Sequence, residues 1–335
     1  MKEIKWDFDG ISIVPSVISD IDSRSAVNVY NKDGKLPIYV SPMDTIISEE
    51  NHKQFLDLGY NLCLPRGDRY SEKECFVSYG LSEISEIVSK QEQLPPKVLI
   101  DIANGNMLKL HLITKIIVQD YDVELMVGNI ANPETYRMLS VIGVDYVRCG
   151  IGGGSVCTTS ANVAIFYPMG SLIKECYDIS CTLVNPPKII ADGGFKNYDE
   201  IIKALALGAD GVMLGSIFNK CIESCGKTYK RPNGYCEVDR RESFKQFEEG
   251  SDVYKLYRGM STKSVQKSWG NNKLKTGEGI TKYNKVEYTL DGWTENFVDY
   301  LKSNMSYCGK RELEEYIGEV EYVHISENSL KRFKK

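Results

Sequence analysis

Residues 188–216 read KIIADGGFKNYDEIIKALALGADGVMLGS, and this stretch holds the unit that the rest of the chain repeats. Lys188–Gly194 and Gly211–Ser216 are short runs with apolar residues on both faces, which is typical of strands in a buried parallel sheet. Between them, Asp199–Leu207 has apolar residues at helical spacing and predicts a helix with one buried face. The stretch therefore predicts a strand, a helix and a second, parallel strand.

The same alternation of apolar runs and helical patterns continues on both sides. The eight predicted strands are Ile38–Met43, Tyr60–Pro65, Val98–Ala103, Val123–Ile130, Tyr146–Ile151, Lys188–Gly194, Gly211–Ser216 and Tyr254–Ser261. Eight strand–helix units predict an α/β protein with a (β/α)8 TIM barrel, and a doubly wound sheet is the alternative on alternation alone. Because no linker divides the chain, we predict one domain over residues 1–335.

Two segments lie outside this repeat. Residues 227–253 are highly charged and predict a solvated insertion before the eighth strand, with a lid or a subunit contact as the alternatives. Residues 262–283 are polar and rich in Lys, Asn and Gly. A long loop after a barrel strand is often functional or mobile, so this segment is a candidate active-site flap.

Composition excludes several classes of protein. A net charge of −5 argues against nucleic-acid binding through an overall positive field. There is no run of about 18 apolar residues, so no membrane span is expected, and the N-terminus lacks a signal-peptide core. Ten scattered cysteines indicate reduced thiols and a cytoplasmic location. Three isolated histidines give little support to a Ser-His-Asp or Cys-His site: His52, His111 and His324.

Glycines and an aspartate follow the predicted sixth and seventh strands. In a barrel, the carboxyl ends of the strands form the catalytic face. Gly193-Gly194 and Gly215-Ser216 each precede a helical pattern, so their backbone N–H groups could hold a phosphate at a helix N-terminus. The carboxylate of Asp192 could accept hydrogen bonds from both hydroxyls of a ribose. Ordinary strand–helix turns are the alternative interpretation.

A glycine-rich loop, Gly150–Thr159, follows the fifth predicted strand and presents Cys157. A nucleophilic thiol needs a lowered pKa or a nearby base, and no histidine lies close in sequence. A catalytic cysteine and an inert buried cysteine therefore both remain open on these residues. The carbonyl groups of the glycines could also hold a monovalent cation.

Five segments together carry a resemblance to a known family: Ser41–Thr45, Asp101–Gly105, Gly150–Thr159, Ile190–Gly194 with Gly208–Ser216, and Tyr257–Ser261. The loop pattern Gly-x-Gly-x-Gly-Ser-x-Cys-x-Thr is highly specific. From about residue 5 to its C-terminus, the chain resembles the inosine monophosphate (IMP) dehydrogenases and guanosine monophosphate (GMP) reductases. The resemblance implies a (β/α)8 barrel, a homotetramer, a bound purine ribonucleotide and a nicotinamide cofactor stacked against it.

The resemblance also assigns roles to residues. Cys157 would attack C2 of the purine, with Thr159 and Glu278 assisting as a pair. The residues implied in substrate binding are Ser41, Met43, Asp192, Gly194, Gly215, Ser216, Tyr257, Gly259, Met260 and Ser261. Those implied in cofactor binding are Asp101, Asn104, Gly105, Lys275 and Gly279, and those whose carbonyls would bind potassium are Gly152, Gly154 and Cys157.

The two branches of the family treat the cysteine adduct differently. The reductase expels ammonia from GMP and takes hydride from NADPH, giving IMP, with help from a Thr–Glu pair. The dehydrogenase passes hydride from IMP to NAD and hydrolyses the adduct with an Arg–Tyr pair on its flap. Between Met260 and Glu278 there is neither Arg nor Tyr, and the interval is too short for the usual dehydrogenase flap. Between Pro65 and Val98 there is no room for the regulatory domains that most dehydrogenases insert.

These observations favour a GMP reductase that uses NADPH. The alternatives are an IMP dehydrogenase without regulatory domains, which would use NAD, and a relative acting on a modified purine nucleotide. A nucleotide-binding barrel without catalysis is a third possibility, against which the intact Cys157, Thr159 and Glu278 argue. The chain departs from its relatives at Ala164 and Phe166, where they carry glycines, so substrate identity is the open question.

Overall fold

A computed structural model of the chain describes residues 4–231, 236–269 and 276–333. Eight parallel strands close a barrel, and we number them one to eight: Ile38–Val40, Asn61–Leu64, Phe76–Tyr79, Lys97–Asp101, Glu124–Ile130, Tyr146–Cys149, Lys188–Asp192 and Gly211–Leu214. The first strand pairs in parallel with the eighth, with Ile38 opposite Val212, which closes the ring. The predicted (β/α)8 barrel is confirmed.

The inside of the barrel is filled by side chains from all eight strands. Tyr39, Phe76 and Tyr146 form its aromatic part, and the rings of Phe76 and Tyr146 meet edge to face with centroids 5.2 Å apart. The aliphatic and sulfur-containing side chains between them are Cys63, Leu99, Met126, Ile190 and Met213. Burying each large apolar side chain contributes about 1.5–3 kcal/mol, so the barrel is a packed core that holds the strand ends in fixed positions.

Helices connect the strands and cover the outside of the barrel. Their bounds are His52–Asp57, Leu81–Lys90, Leu108–Asp120, Pro133–Ile142, Thr159–Val163, Met169–Ser180, Tyr198–Ala206, Ser216–Asn219, Arg240–Glu248, Lys263–Ser268, Leu290–Tyr307, Leu313–Tyr316 and Glu327–Phe333. Short 3-10 helices span Phe8–Gly10 and Arg24–Ala26. The helix predicted over Asp199–Leu207 is confirmed. Among the described residues, no helix has the length and apolarity that a membrane span requires.

Local sequence sets where these helices begin and end. Asn132 caps the helix Pro133–Ile142, because its side chain accepts a hydrogen bond from the Glu134 N–H at 2.9 Å. Proline at the first helical position has no N–H to satisfy. Gly143 ends the helix with φ of 96°, a conformation that favours glycine. Such caps return the chain to the barrel within a few residues.

One barrel strand was not predicted. Phe76–Tyr79 is the third strand, and with the helix Leu81–Lys90 it fills the interval between Pro65 and Val98. Ser78 interrupts its apolar run, and a polar stretch precedes it, so the strand carries no continuous apolar run by which it could be recognised. The runs predicted as strands three to seven are therefore strands four to eight.

The prediction of Tyr254–Ser261 as the eighth barrel strand is wrong. Tyr254–Arg258 lies in a four-stranded antiparallel sheet, between Thr228–Tyr229 and Thr281–Lys285, and Glu237–Val238 forms one edge. Burial alternates along this strand, as expected for an antiparallel strand with one face more buried than the other. Its aromatic and aliphatic residues mimic the apolar runs of the barrel.

The position of the charged insertion changes accordingly. Residues 227–253 follow the last barrel strand instead of preceding it, and they supply two strands of the antiparallel sheet and the helix Arg240–Glu248. The candidate flap, 262–283, includes the helix Lys263–Ser268 and the start of Thr281–Lys285. Ile11–Ile13 pairs with Tyr322–His324 in a separate two-stranded sheet.

Candidate active site

A cavity of about 200 Å³ opens at the carboxyl ends of the barrel strands. Cys157 and Glu278 line it, together with every residue predicted to bind the substrate: Ser41, Met43, Asp192, Gly194, Gly215, Ser216, Tyr257, Gly259, Met260 and Ser261. Most come from barrel strand ends, and those from Tyr257 onward come from the antiparallel sheet and the flap. The structure thus brings together residues that lie up to 237 positions apart, from Ser41 to Glu278.

The glycine-rich loop and the flap are joined by backbone hydrogen bonds. The Thr158 N–H donates to the Glu278 carbonyl at 2.9 Å, and the Ile280 N–H donates to the Val156 carbonyl at 3.0 Å. These bonds pair Cys157 with Gly279 as in an antiparallel bridge. A Cβ on Gly259 would lie 2.8 Å from the Val156 carbonyl oxygen, so glycine is required for this close approach.

Three polar side chains form a row beside the cavity. The Cys157 thiol donates to the Thr159 hydroxyl, with Sγ and Oγ1 3.3 Å apart. The Thr159 hydroxyl in turn donates to the Glu278 carboxylate, with Oγ1 and Oε2 2.5 Å apart. Cys157 and Glu278 are half-buried. A proton can therefore move between the thiol and the carboxylate through a single hydroxyl group.

Gly193-Gly194 after strand seven and Gly215-Ser216 after strand eight line the cavity. Gly193 and Gly194 have φ of 104° and 91°, and Gly215 precedes the four-residue helix Ser216–Asn219. Loops after strands seven and eight, with a short extra helix, are where barrel enzymes commonly bind phosphate. A Cβ on Gly215 would lie 2.7 Å from the Tyr257 hydroxyl oxygen. Burial, with the nearby Asp192 charge, raises the pKa of Tyr257, so its hydroxyl remains protonated.

A buried arginine connects two acidic residues at the bottom of the cavity. The Arg148 guanidinium donates to Asp101 Oδ1 and to Asp192 Oδ2, each at 2.7 Å. The Asn129 amide also donates to Asp192 Oδ2 at 2.7 Å, and it bonds the Gly150 carbonyl. Burial alone raises the pKa of Asp101, but the charges of Arg148 and Arg66 outweigh it and hold that pKa below its ordinary value.

A second cavity of about 400 Å³ adjoins the first and shares five lining residues with it: Asp101, Asn129, Met260, Ser261 and Glu278. Arg66 lies 3.2 Å from Asp101 through its Nε atom, and its guanidinium stacks 4.3 Å from the ring centroid of Trp269. This pair offers both a cation and an aromatic surface to a ligand. Asp101, predicted to contact the cofactor, thus lies between the two cavities.

The other predicted cofactor residues lie elsewhere. Asn104 is exposed and caps the Asn106 N–H, and Gly105 packs on the Asn129 carbonyl, which a Cβ would approach to 2.6 Å. Gly279 pairs with Cys157. None of these three lines either cavity. Lys275 lies outside the described residues.

Several residues that line the cavities were not predicted from the sequence. Arg148, Asn129 and Ser155 line the first cavity, and Arg66 and Trp269 line the second. A usable signal existed for Arg148, because a charged residue in the otherwise apolar run Tyr146–Ile151 must find buried partners. Ser155 and Trp269 lie within the predicted loop and the candidate flap, whereas only the folded chain brings Asn129 and Arg66 to the cavities.

The carbonyls predicted to bind potassium already accept hydrogen bonds within the loop. The Gly152 carbonyl accepts from the Ser160 hydroxyl at 3.0 Å, and the Gly154 carbonyl accepts from the Cys157 N–H at 2.9 Å. Over the described ranges, no cluster of three His, Cys, Asp or Glu side chains could supply further ligands. Two of the three proposed donors thus already accept one hydrogen bond each from the loop, which leaves each of these carbonyl oxygens one further lone pair.

Comparison with known proteins gives the same family throughout the chain. Residues 81–334 match the IMP dehydrogenase / GMP reductase domain. A GMP reductase of Streptococcus pyogenes serotype M5 is 30% identical over 342 residues, covering 97% of this chain and 96% of that protein. An IMP dehydrogenase of Chlorobaculum parvum is 33% identical over 239 residues, covering 70% of this chain and 46% of that protein.

A second dehydrogenase, from Cryptosporidium parvum, is 30% identical over 265 residues, covering 76% of this chain and 61% of that protein. The match thus spans less than two thirds of the length of either dehydrogenase and nearly the full length of the reductase. Both the domain match and the reductase match extend over most of the sequence. The chain therefore belongs to the family of IMP dehydrogenases and GMP reductases.

Proposed function

We propose that the protein is a GMP reductase, which converts GMP into IMP and ammonia with NADPH as the reductant. The observation that carries the proposal is the hydrogen-bonded row of Cys157, Thr159 and Glu278 beside the main cavity. A departing amine needs a proton, and a hydroxyl group backed by a carboxyl group can deliver one. The match to a GMP reductase over nearly the whole chain supports this choice.

The direction of the hydrogen bonds suggests how the row acts. The Cys157 thiol gives its proton to Thr159, whose own proton passes to Glu278, and the thiolate forms a bond to C2 of the purine. The one proton taken up by Glu278 then returns through Thr159 to the 2-amino nitrogen as its bond to C2 breaks and ammonia leaves. When bound, the nicotinamide cofactor supplies the hydride that C2 gains. The Cys157–C2 bond then breaks, which releases IMP and leaves a thiolate that takes up one proton from solvent before the next cycle.

The remaining residues of the cavity would orient the nucleotide. Gly194, Gly215 and Ser216 would bind the 5′-phosphate with N–H and hydroxyl groups, and Asp192 would accept hydrogen bonds from the ribose. Ser41, Met43, Gly259, Met260 and Ser261 would contact the purine ring system. Arg148 and Asn129 hold Asp192 in place, so its carboxylate needs no rearrangement when the ribose arrives.

The second cavity fits a nicotinamide cofactor. It adjoins the catalytic cavity at Glu278, and its Trp269 ring and Arg66 guanidinium suit an aromatic, negatively charged ligand. Asp101 lies between the two ligands and would contact the nicotinamide end. We assign NADPH to this cavity for the reductase reaction, and NAD would take its place in a dehydrogenase.

The proposal is tested by incubating the purified protein with GMP and NADPH. We expect NADPH to be consumed in equal amount to the IMP and ammonia formed, with IMP identified by chromatography. A parallel incubation with IMP and NAD should give no NADH. The absence of both NADPH consumption and IMP would refute the reductase assignment.

An IMP dehydrogenase is the second candidate, because the two dehydrogenase relatives match at a similar identity. A related enzyme for a modified purine nucleotide is a further version of it. Two features of the loop after Cys157 support a modified substrate. Ala164 has φ of 58°, a conformation in which a glycine would be unstrained, and Phe166 is exposed beside it. Formation of NADH from IMP and NAD would favour the dehydrogenase.

Replacing Glu278 with glutamine is expected to lower kcat about 10²- to 10⁴-fold, the usual worth of general acid–base catalysis. The amide keeps the size of the side chain and can still bond Thr159, but it cannot take up and return a proton. Nucleotide affinity should stay within a few-fold, measured as the Kd for IMP by calorimetry. A loss of IMP affinity with normal kcat would assign Glu278 to binding instead.

Removing potassium is expected to leave kcat unchanged when choline replaces it at equal ionic strength. The Ser160 hydroxyl and the Cys157 N–H already hold the carbonyls that a cation would bind. In contrast, Ser160→Ala should lower kcat, because it frees the Gly152 carbonyl and loosens the loop beside Cys157. Strong activation of the unaltered protein by potassium would contradict this assignment.

We propose that the protein acts as a homotetramer in the cytoplasm. Leu108, Leu112, Met138 and Val141 expose apolar side chains on two neighbouring helices, which supports burial of this face between subunits. Light scattering of the protein as it elutes from a size-exclusion column should give a mass four times the chain mass of 37.8 kDa. A monomer at micromolar concentration would contradict the proposal.

A further inference from the structure

A lysine outside every motif discussed above borders the proposed phosphate site. Lys282 lies directly opposite Tyr257 in the antiparallel sheet, so both side chains project to the same face. Its Nζ atom is 5.6 Å from the centroid of the Tyr257 ring and donates to the Ser155 hydroxyl at 3.1 Å. Both neighbours of this ammonium group line the main cavity.

These two neighbours also border Gly193-Gly194 and Gly215-Ser216, the segments proposed to hold the phosphate. The Tyr257 hydroxyl oxygen would be 2.7 Å from a Cβ on Gly215. Ser155 follows Gly154, whose backbone nitrogen would be 3.3 Å from a Cβ on Gly193. The Lys282 ammonium is therefore held at the edge of the proposed phosphate site by Ser155 and Tyr257, which border that site.

The charges of the side chains around the main cavity indicate a role for Lys282. Among the described residues, the charged side chains that line the main cavity are Asp101, Arg148, Asp192 and Glu278. They sum to two negative charges, and Arg148 is fully used by the two aspartates. The residues proposed to bind the phosphate, Gly194, Gly215 and Ser216, offer N–H and hydroxyl groups, which carry no full charge. A phosphate dianion would thus enter a cavity of net negative lining, where the nearby cations at its edge are Lys282 and Lys196, of which Lys282 bonds to the cavity residue Ser155.

Lys282 itself lacks an anionic partner. In the part of the chain that the structure describes, no carboxylate forms an ion pair with it. Partial burial, together with the charges of Lys220 and Lys196, lowers the pKa of Lys282. Lys220 is neutralised by Glu287 at 2.9 Å, but Lys282 has no such compensation. An anion bound at this edge would remove the repulsion.

We propose that Lys282 binds the 5′-phosphate of the substrate and determines the preference of the site for nucleotides over nucleosides. The proposal rests on the proposed function in one respect, that the substrate is a purine nucleotide. Lysine is a common phosphate ligand, and its flexible stem allows Nζ to move from Ser155 to a phosphate oxygen. A charge-assisted hydrogen bond of this kind changes affinity about tenfold to a hundredfold.

The test compares IMP with inosine, which lacks the phosphate, by calorimetry. Lys282→Met should weaken IMP binding about tenfold to a hundredfold and leave inosine binding unchanged. Lys282→Arg keeps the charge and should restore most of the IMP affinity. Lys285→Met is the matched control on the same strand, since Lys285 is exposed and pairs with Asp252, and it should behave like the unaltered protein.

Binding separates this proposal from the catalytic one, because it needs no turnover. If IMP affinity is unchanged in Lys282→Met, or if IMP and inosine affinities fall together, the assignment is wrong. In turnover of GMP, Lys282→Met should have a higher KM for GMP than the unaltered protein and an unchanged kcat at saturating GMP. A structural role would instead lower kcat and the unfolding temperature in both Lys282 variants.

Discussion

Replacing Cys157 with alanine is expected to lower kcat by at least about 10⁴-fold, the scale seen when an enzyme loses its nucleophile. Alanine removes the sulfur atom that would bond to C2 of the purine, and neither Thr159 nor Glu278 can take its place at that position. The phosphate and ribose contacts come from other strands, so the Kd for IMP should stay within a few-fold. Turnover of GMP with NADPH and calorimetry with IMP measure the two quantities.

Another half-buried thiol of the chain provides the matched control. Cys225 donates to the Asp44 carbonyl at 3.4 Å and does not line the main cavity, so Cys225→Ala should keep normal turnover. Alkylation with iodoacetamide should inactivate the unaltered enzyme, and bound IMP should slow it by covering Cys157. If Cys157→Ala turns over GMP at the normal rate, the thiol has no part in the chemistry.

The barrel could be predicted because its strands carry their own signal. A parallel strand buried on both faces is a continuous apolar run, and seven of the barrel strands have one. The third strand, Phe76–Tyr79, does not show it because Ser78 interrupts the run, and Tyr254–Arg258 shows it for another reason. In that antiparallel strand, Tyr254 and Leu256 are apolar but only half-buried, while Lys255 is buried. The hydropathy of a segment cannot distinguish a barrel strand from this antiparallel strand, because it does not record which strands lie alongside.

Within the site, glycine-bearing motifs were predictable and side-chain networks were not. Gly193 and Gly194 need positive φ, and that requirement is written in the local sequence. The bond between Thr159 and Glu278 spans 119 residues, and that between Arg148 and Asp101 spans 47. No local pattern records such a pair. The family resemblance supplied Glu278, but it did not supply Arg148.

Replacing Arg148 with methionine is expected to lower the free energy of unfolding by about 3–5 kcal/mol at pH 7, as when one partner of a buried ion pair is removed. Methionine preserves much of the volume but leaves Asp101 and Asp192 without the guanidinium that both contact at 2.7 Å. Urea denaturation measures the loss. Arg258→Met is the control, because the Arg258–Asp44 pair is partly exposed and its loss should cost at most about 1 kcal/mol.

The stability lost in Arg148→Met should also depend on pH, in a direction that follows from the pKa of Asp101. In the unaltered protein the pKa of Asp101 lies below its ordinary value despite burial, so this carboxylate stabilises the fold above pH about 4 and loses that effect as pH falls. Without Arg148, burial opposes a weaker positive charge and the pKa of Asp101 rises. Protonation of Asp101 then stabilises the folded variant more than it stabilises the unfolded chain. The difference in the free energy of unfolding between the unaltered protein and Arg148→Met should therefore decrease from pH 7 to pH 5. A difference that stays constant over this range would show that Arg148 acts through packing rather than charge.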